Sequence, residues 1–145
     1  MRLKLKHMVL VGLVALLANH VIVPALAETP NALIAQGDRQ WAEGRLDLAQ
    51  ASFEQAVIAD PSSVAARMKL AGLQLSQQDF KASIETYQRT IGLDANNAKA
   101  WLGLGFSYLH TAKNDLALAA FNEAIRVDPA NKGKLAPVLA KLESP

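Results

Sequence analysis

From residue 30 to residue 131 the chain superposes on itself at a shift of 34 residues, without a gap. The shift aligns Phe53, Tyr87 and Phe121; Ala49, Ser83 and Ala117; Asp60, Asp94 and Asp128; and Gly37, Ala71 and Gly105. Self-similarity at a fixed period of this length is the signature of a stacked array of helical hairpins, in which each unit buries its apolar face only against its neighbours. The expected fold is therefore all-α.

The third copy carries the pattern most fully. Trp101, Leu104, Gly105 and Tyr108 are spaced three, one and three apart and share one face of a first helix. Ala117, Phe121, Ala124 and Ile125 form the matching face of a second helix. The small residues at 105, 117 and 124 let the two axes approach, and the large rings fill the space around that contact. Asp128-Pro129 ends the second helix, because proline cannot continue it. "DPSS", Asp60 to Ser63, ends the first hairpin in the same way and offers Ser62 or Ser63 as the next N-cap.

Trp101, Leu104, Gly105, Tyr108, Ala117, Phe121, Ala124 and Pro129 occupy all eight signature positions of the tetratricopeptide repeat family, which the chain resembles. The first copy keeps Gly37, Ala49, Phe53, Ala56 and Pro61 but has Leu33, Gln36 and Gln40 for Trp101, Leu104 and Tyr108. The second departs further, with Arg67, Gln74, Thr90 and Ala95 at signature positions. The resemblance implies a right-handed superhelical array of three helix-turn-helix hairpins, residues 30–63, 64–97 and 98–131, after a short tail at 28–29. "NKGKLAPVLAKLESP" adds Leu135, Val138, Leu139 and Leu142 at first-helix spacing. Residues 132–145 are therefore expected to form a C-terminal capping helix, with Pro137 in its first turn.

The family lines a concave groove with four residues of each first helix. By resemblance these are Asn31, Ile34, Asp38 and Trp41; Ala65, Met68, Gly72 and Leu75; and Lys99, Leu102, Phe106 and Leu109. Members that clamp a peptide carboxylate carry Lys, Asn and Arg here, and apart from Lys99 this stripe does not. Ile34, Met68, Leu75, Leu102 and Leu109 read equally as packing between neighbouring first helices. Trp41 and Phe106 are expected anchors for a ligand, since buried aromatics dominate many interfaces. Replacing Trp41 is expected to spare the fold, because Gly37, Ala49 and Phe53 supply that repeat's core.

Little in the sequence suggests catalysis. Gly103-Leu104-Gly105 lacks the third glycine and the preceding strand of a dinucleotide loop. Past residue 27 the only histidine is His110, without a carboxylate pair at catalytic or metal-ligand spacing, and there is no cysteine. Ser52, Ser76 and Ser107 have no neighbouring base in the sequence. The chain is expected to be no enzyme and to hold no cofactor or metal.

Residues 1–27 read as a secretory signal peptide: Arg2, Lys4 and Lys6, then the apolar run Met8 to Ala18, then Ala25-Leu26-Ala27. An uncleaved membrane anchor is the rival, because 8–27 is about as long as a bilayer span, although Asn19, His20 and Pro24 interrupt it. Beyond Ala27 stand 12 Lys and Arg against 13 Asp and Glu, so the basic balance belongs to the leader and a nucleic-acid partner is not expected. The absence of cysteine means that neither disulfides nor thiolate metal sites hold the fold, and the absence of any Asn-x-Ser/Thr sequon favours a periplasm or similar lumen. The expected function is an exported module that binds a partner peptide or helix in its groove as a scaffold or assembly factor. A self-associating structural subunit of an envelope complex is the alternative, or a membrane-anchored scaffold if the leader stays.

Overall fold

The computed structural model describes residues 28–143. The expected leader, residues 1–27, lies outside that part. Seven helices and no strand make up the described residues: α1 Pro30–Ala42, α2 Leu46–Ala59, α3 Val64–Ser76, α4 Phe80–Leu93, α5 Ala98–His110, α6 Asn114–Val127 and α7 Asn131–Glu143. None of them is long and apolar enough to cross a membrane.

Local chemistry sets these boundaries. Thr29, Ser63, Asp79 and Asn97 each accept a hydrogen bond from the backbone N–H three residues on, which satisfies donors the helix itself cannot. The turn inside each hairpin is the same double bond: Arg45, Asp79 and Lys113 N–H donate to the carbonyls of Gln40, Gln74 and Tyr108, and Gly44, Gln78 and Ala112 N–H to those of Trp41, Leu75 and Leu109. This Schellman closure needs a left-handed residue. It falls on Gly44, Gln78 and Ala112, with φ of 75°, 62° and 56°. Between hairpins the aligned aspartates do a second repeated job, with Asp60, Asp94 and Asp128 Oδ1 accepting from the N–H of Ser62, Asn96 and Ala130 at 3.0–3.1 Å.

Phe53 and Phe121 are fully buried between the helices of their own hairpins. Each ring lies where a Cβ on Gly37 or Gly105 would stand, so those glycines are seats for a ring. Ala71 holds the equivalent place in the second hairpin, and there Tyr87 lies instead against Gly103 of α5. Both glycines of the 103–105 pair are thus inside a helix and each carries an aromatic ring. The core divides in two. One cluster joins Ala49, Phe53, Leu70 and Leu73, with Ile34, Trp41, Leu46 and Val57 packed on it. The other runs from Ala71 and Ile84 through Tyr87, Leu104, Tyr108 and Phe121 to Leu135.

The last helix departs from expectation. It begins at Asn131, so Pro137 is its seventh residue and lies inside the helix. Proline there cannot donate to the Gly133 carbonyl four residues back. Gly133 and Pro137 are both exposed, which leaves that carbonyl to water. The helix is held from its other side by Leu135, Val138, Leu139 and Leu142 on the larger cluster. It neighbours α6 but not α5. A cleft of about 580 Å³ separates it from the end of α5, lined by Leu109, Pro137, Val138 and Leu142.

Candidate functional site

The first helices form the inner wall of the array. α1 neighbours α3 and α3 neighbours α5, whereas no Cα of α2 comes within 8 Å of α4, nor any of α4 within 8 Å of α6. Close spacing on one side and open spacing on the other bends a stack of hairpins, with α1, α3 and α5 on the concave side.

On that wall the apolar stripe is mostly half-buried. Ile34 and Trp41 pack on the first cluster, and Met68, Leu75, Leu102 and Leu109 on the second. These residues pack on the core clusters and keep part of their surface exposed. Phe106 differs. It is 39 % exposed, although its ring edge rests on Phe121 with centroids 5.1 Å apart at 70°. Asn31 and Lys99 are exposed as well.

Trp41 is more deeply tied to the fold than its sequence position suggests. Its ring meets Phe53 edge to face at 6.3 Å, and its indole tip lies 3.7 Å from where a Cβ on Gly72 would stand. The expectation that its loss spares the fold is therefore corrected: a Trp41→Ala change opens a gap against the core ring of the first hairpin. Asp38 is also engaged, since its carboxylate binds the Lys69 ammonium at 2.8 Å across α1 and α3. Lys69 was not among the expected groove residues, because it falls outside the family's stride along the helix. Opposite charge at 38 and 69 is the only trace of the pair in the sequence.

The serines and the histidine singled out in the sequence have neutral partners. Ser52 donates to Gln40 at 2.7 Å, Ser107 sits 2.8 Å from Ser83, and Ser76 donates to the Leu73 carbonyl. His110 is exposed and stacks on Phe80, with centroids 4.9 Å apart and planes 4° from parallel. Among the described residues no three His, Asp or Glu side chains gather where they could hold a metal ion. What this wall offers is shape and apolar surface, with the Asp38–Lys69 ion pair in one part and the exposed face of a ring braced by Phe121 in another.

Comparison with known proteins gives two overlapping matches to the family described as Tetratricopeptide repeat, at residues 34–98 and 73–132. The general transcriptional corepressor ssn6 of Schizosaccharomyces pombe is 27 % identical over 114 residues, 73 % of this chain and 10 % of that protein. The chain spans only 6 to 18 % of the length of such curated relatives. Among solved structures, the Arabidopsis OM64 TPR domain superposes with a TM-score of 0.73 at 18 % identity, covering 79 % of this chain and 93 % of that one. The second TPR domain of human RPAP3, determined in complex with an HSP70 peptide, gives 0.70 at 20 % identity, covering 80 % and 99 %.

Proposed function

This chain belongs to the tetratricopeptide repeat family, and from that premise we propose that it is an exported protein-interaction module whose concave wall holds a partner's amphipathic helix or extended peptide. The observation that carries the reading is Phe106, a large ring left 39 % exposed on the inner wall and braced from behind by Phe121. A braced aromatic loses little freedom on binding, which is what makes such residues anchors. The human RPAP3 domain, similar in fold, was determined with a peptide of another protein. Here Leu102, Leu109, Met68 and Leu75 continue the apolar surface beside Phe106, and Lys99 offers a cation at its edge. The leader-like residues 1–27 support work outside the cytoplasm, as a scaffold or assembly factor of an envelope complex.

Crosslinking in the native compartment, followed by mass spectrometry of both the captured partner and the chain's own N-terminus, tests this. Phe106→Ala is expected to weaken capture by about 2 kcal/mol or more, against a loss of folding stability of only about 1 kcal/mol from the uncovered edge of Phe121, and the isolated chain is expected to begin at Glu28. Undiminished capture by Phe106→Ala moves the site off this wall. Capture only of further copies of the chain, with a mass that rises with concentration, establishes the self-associating subunit instead.

A further inference from the structure

The two joints of the array, α2 on α3 and α4 on α5, occupy the same positions of the repeat and can be compared pair by pair. At the second joint the Ser83 and Ser107 hydroxyls meet at 2.8 Å in the core. Gln88 Nε2 donates to the Tyr108 hydroxyl at 2.8 Å, Phe80 stacks on His110, and the buried Tyr87 ring is seated on Gly103. Stepping back 34 residues, each of these ties is gone. Ala49 and Leu73 replace the two serines, both fully buried and without a polar side-chain atom. Gln74, in place of Tyr108, spends its carbonyl oxygen on Thr86 of its own hairpin, and Glu54, in place of Gln88, accepts from Gln50 on its own helix. Leu46 and Ser76 stand for the stacked rings. Phe53 sits on Gly37 of its own hairpin, because Lys69 stands where the seat would be.

What remains at the first joint is apolar contact of Leu70 and Leu73 with the Phe53 cluster, the Trp41 ring tip against Gly72, and the Asp38–Lys69 pair. That pair is 41 % and 43 % exposed, where solvent screens most of its attraction. Among the described residues no side-chain hydrogen bond crosses from α2 to α3. One group counts against the joint: Arg67, in the place of Trp101, keeps the equivalent bond to the loop, its NH2 donating to the Pro61 carbonyl at 2.7 Å, but its Nε is buried with no partner. A buried unsatisfied donor is penalised as long as it stays dry, and opening returns it to water.

We propose that the first hairpin, α1–α2, is a separately opening unit that undocks at α3 while α3 to α7 remain folded. Proteins open in contiguous units whose stability follows local packing, and of the cluster built around Phe53 only Leu70 and Leu73 belong to α3, so few side chains tie the first hairpin to the rest. The hinge has a consequence for the inner wall, since Trp41 belongs to the opening hairpin and Phe106 to the body it leaves. The inference rests on the two joints and not on any partner, so its test uses the protein alone.

The chain has two tryptophans, Trp41 in the first cluster and Trp101 against the second, one reporter on each side of the joint. Native-state hydrogen exchange on the full chain is expected to show α1 and α2 at least tenfold less protected than α5 and α6. In a Trp101→Phe chain, Trp41 fluorescence is expected to change at lower urea than the helical circular dichroism signal. In a Trp41→Phe chain, Trp101 is expected to follow the main transition. Equal protection of the first and third hairpins, or weaker protection of α5 and α6, overturns the proposal. Coincident transitions in both variants overturn it too, and the exchange measurement on the unaltered chain decides should either variant fail to fold.

Discussion

Gln40 and Gln74 stand where Tyr108 stands in the third repeat, and twelve residues further on each has a partner. Ser52 donates to Gln40 at 2.7 Å and Thr86 to Gln74 at 2.8 Å, while Tyr108 is matched by Ala120, which has nothing to donate. Departures from the family pattern that look like damage one position at a time are therefore paired replacements, because a buried polar atom needs a partner. Tyr87 is a single-residue case with a pH signature. Burial pushes its phenol from 10.0 up to about 12. The folded chain then keeps a proton that the unfolded chain releases from about pH 10, so stability falls as pH rises from there towards 12, by roughly 3 kcal/mol from this group alone. Tyr87→Phe is expected to remove that part of the alkaline loss, measured as urea midpoints between pH 8 and 11. A second residue-scale expectation concerns Ala112, which holds a left-handed backbone at φ 56° where the first hairpin has Gly44. Ala112→Gly is expected to stabilise by about 1 kcal/mol in the same assay, since a Cβ is strained in that region. A destabilised variant would show that the turn does not hold this conformation.

At the level of the helix, two glycines make a matched pair. Gly92, near the end of α4, has no atom within 4 Å of an added Cβ and no left-handed φ. Gly92→Ala is expected to stabilise by about 0.5 kcal/mol, from helix propensity alone. Gly105→Ala gains the same propensity but puts a methyl 2.5 Å from the Phe121 ring, and overpacking of that kind costs about 1 to 3 kcal/mol. Opposite signs for the two, read from thermal midpoints, separate propensity from packing; equal signs refute the seat assigned to Phe121. The helices themselves were legible in the sequence, because the 34-residue register fixes the faces and Asp60, Asp94 and Asp128 mark the links. The seating of rings was only half legible. Gly105 could be read as a packing glycine from its own repeat. Gly103 could not, since the ring that needs it belongs to the preceding one and is there because Ala71 denies it a place at home. Pro137 was misread for another reason: first-turn tolerance is a rule about an isolated helix end, whereas α7 is held by the four apolar side chains it sets against α6 and the core.

Across the whole molecule, curvature follows from the spacing of helices, and the candidate site follows from curvature. The stripe along α1, α3 and α5 was legible as a row, yet its division was not, because half-buried residues on an inner wall serve packing and exposure together. Of the two large rings in the stripe Phe106 stands the clearer of the core, at 39 % exposed, whereas Trp41 packs on the Phe53 cluster and against Gly72. The three repeats match in length and outline, which invites treating them as exchangeable beads. The Tyr87 seat forbids that. A chain permuted to the order first, third, second repeat, with α7 kept last, would set Tyr87 against the position of Pro137, whose side chain would stand in the space that Gly103 leaves to the ring. Such a chain is expected to lose its cooperative melt although every hairpin it contains is unchanged. The repeats thus carry a word order: the second is a phrase that the third, through Gly103, completes.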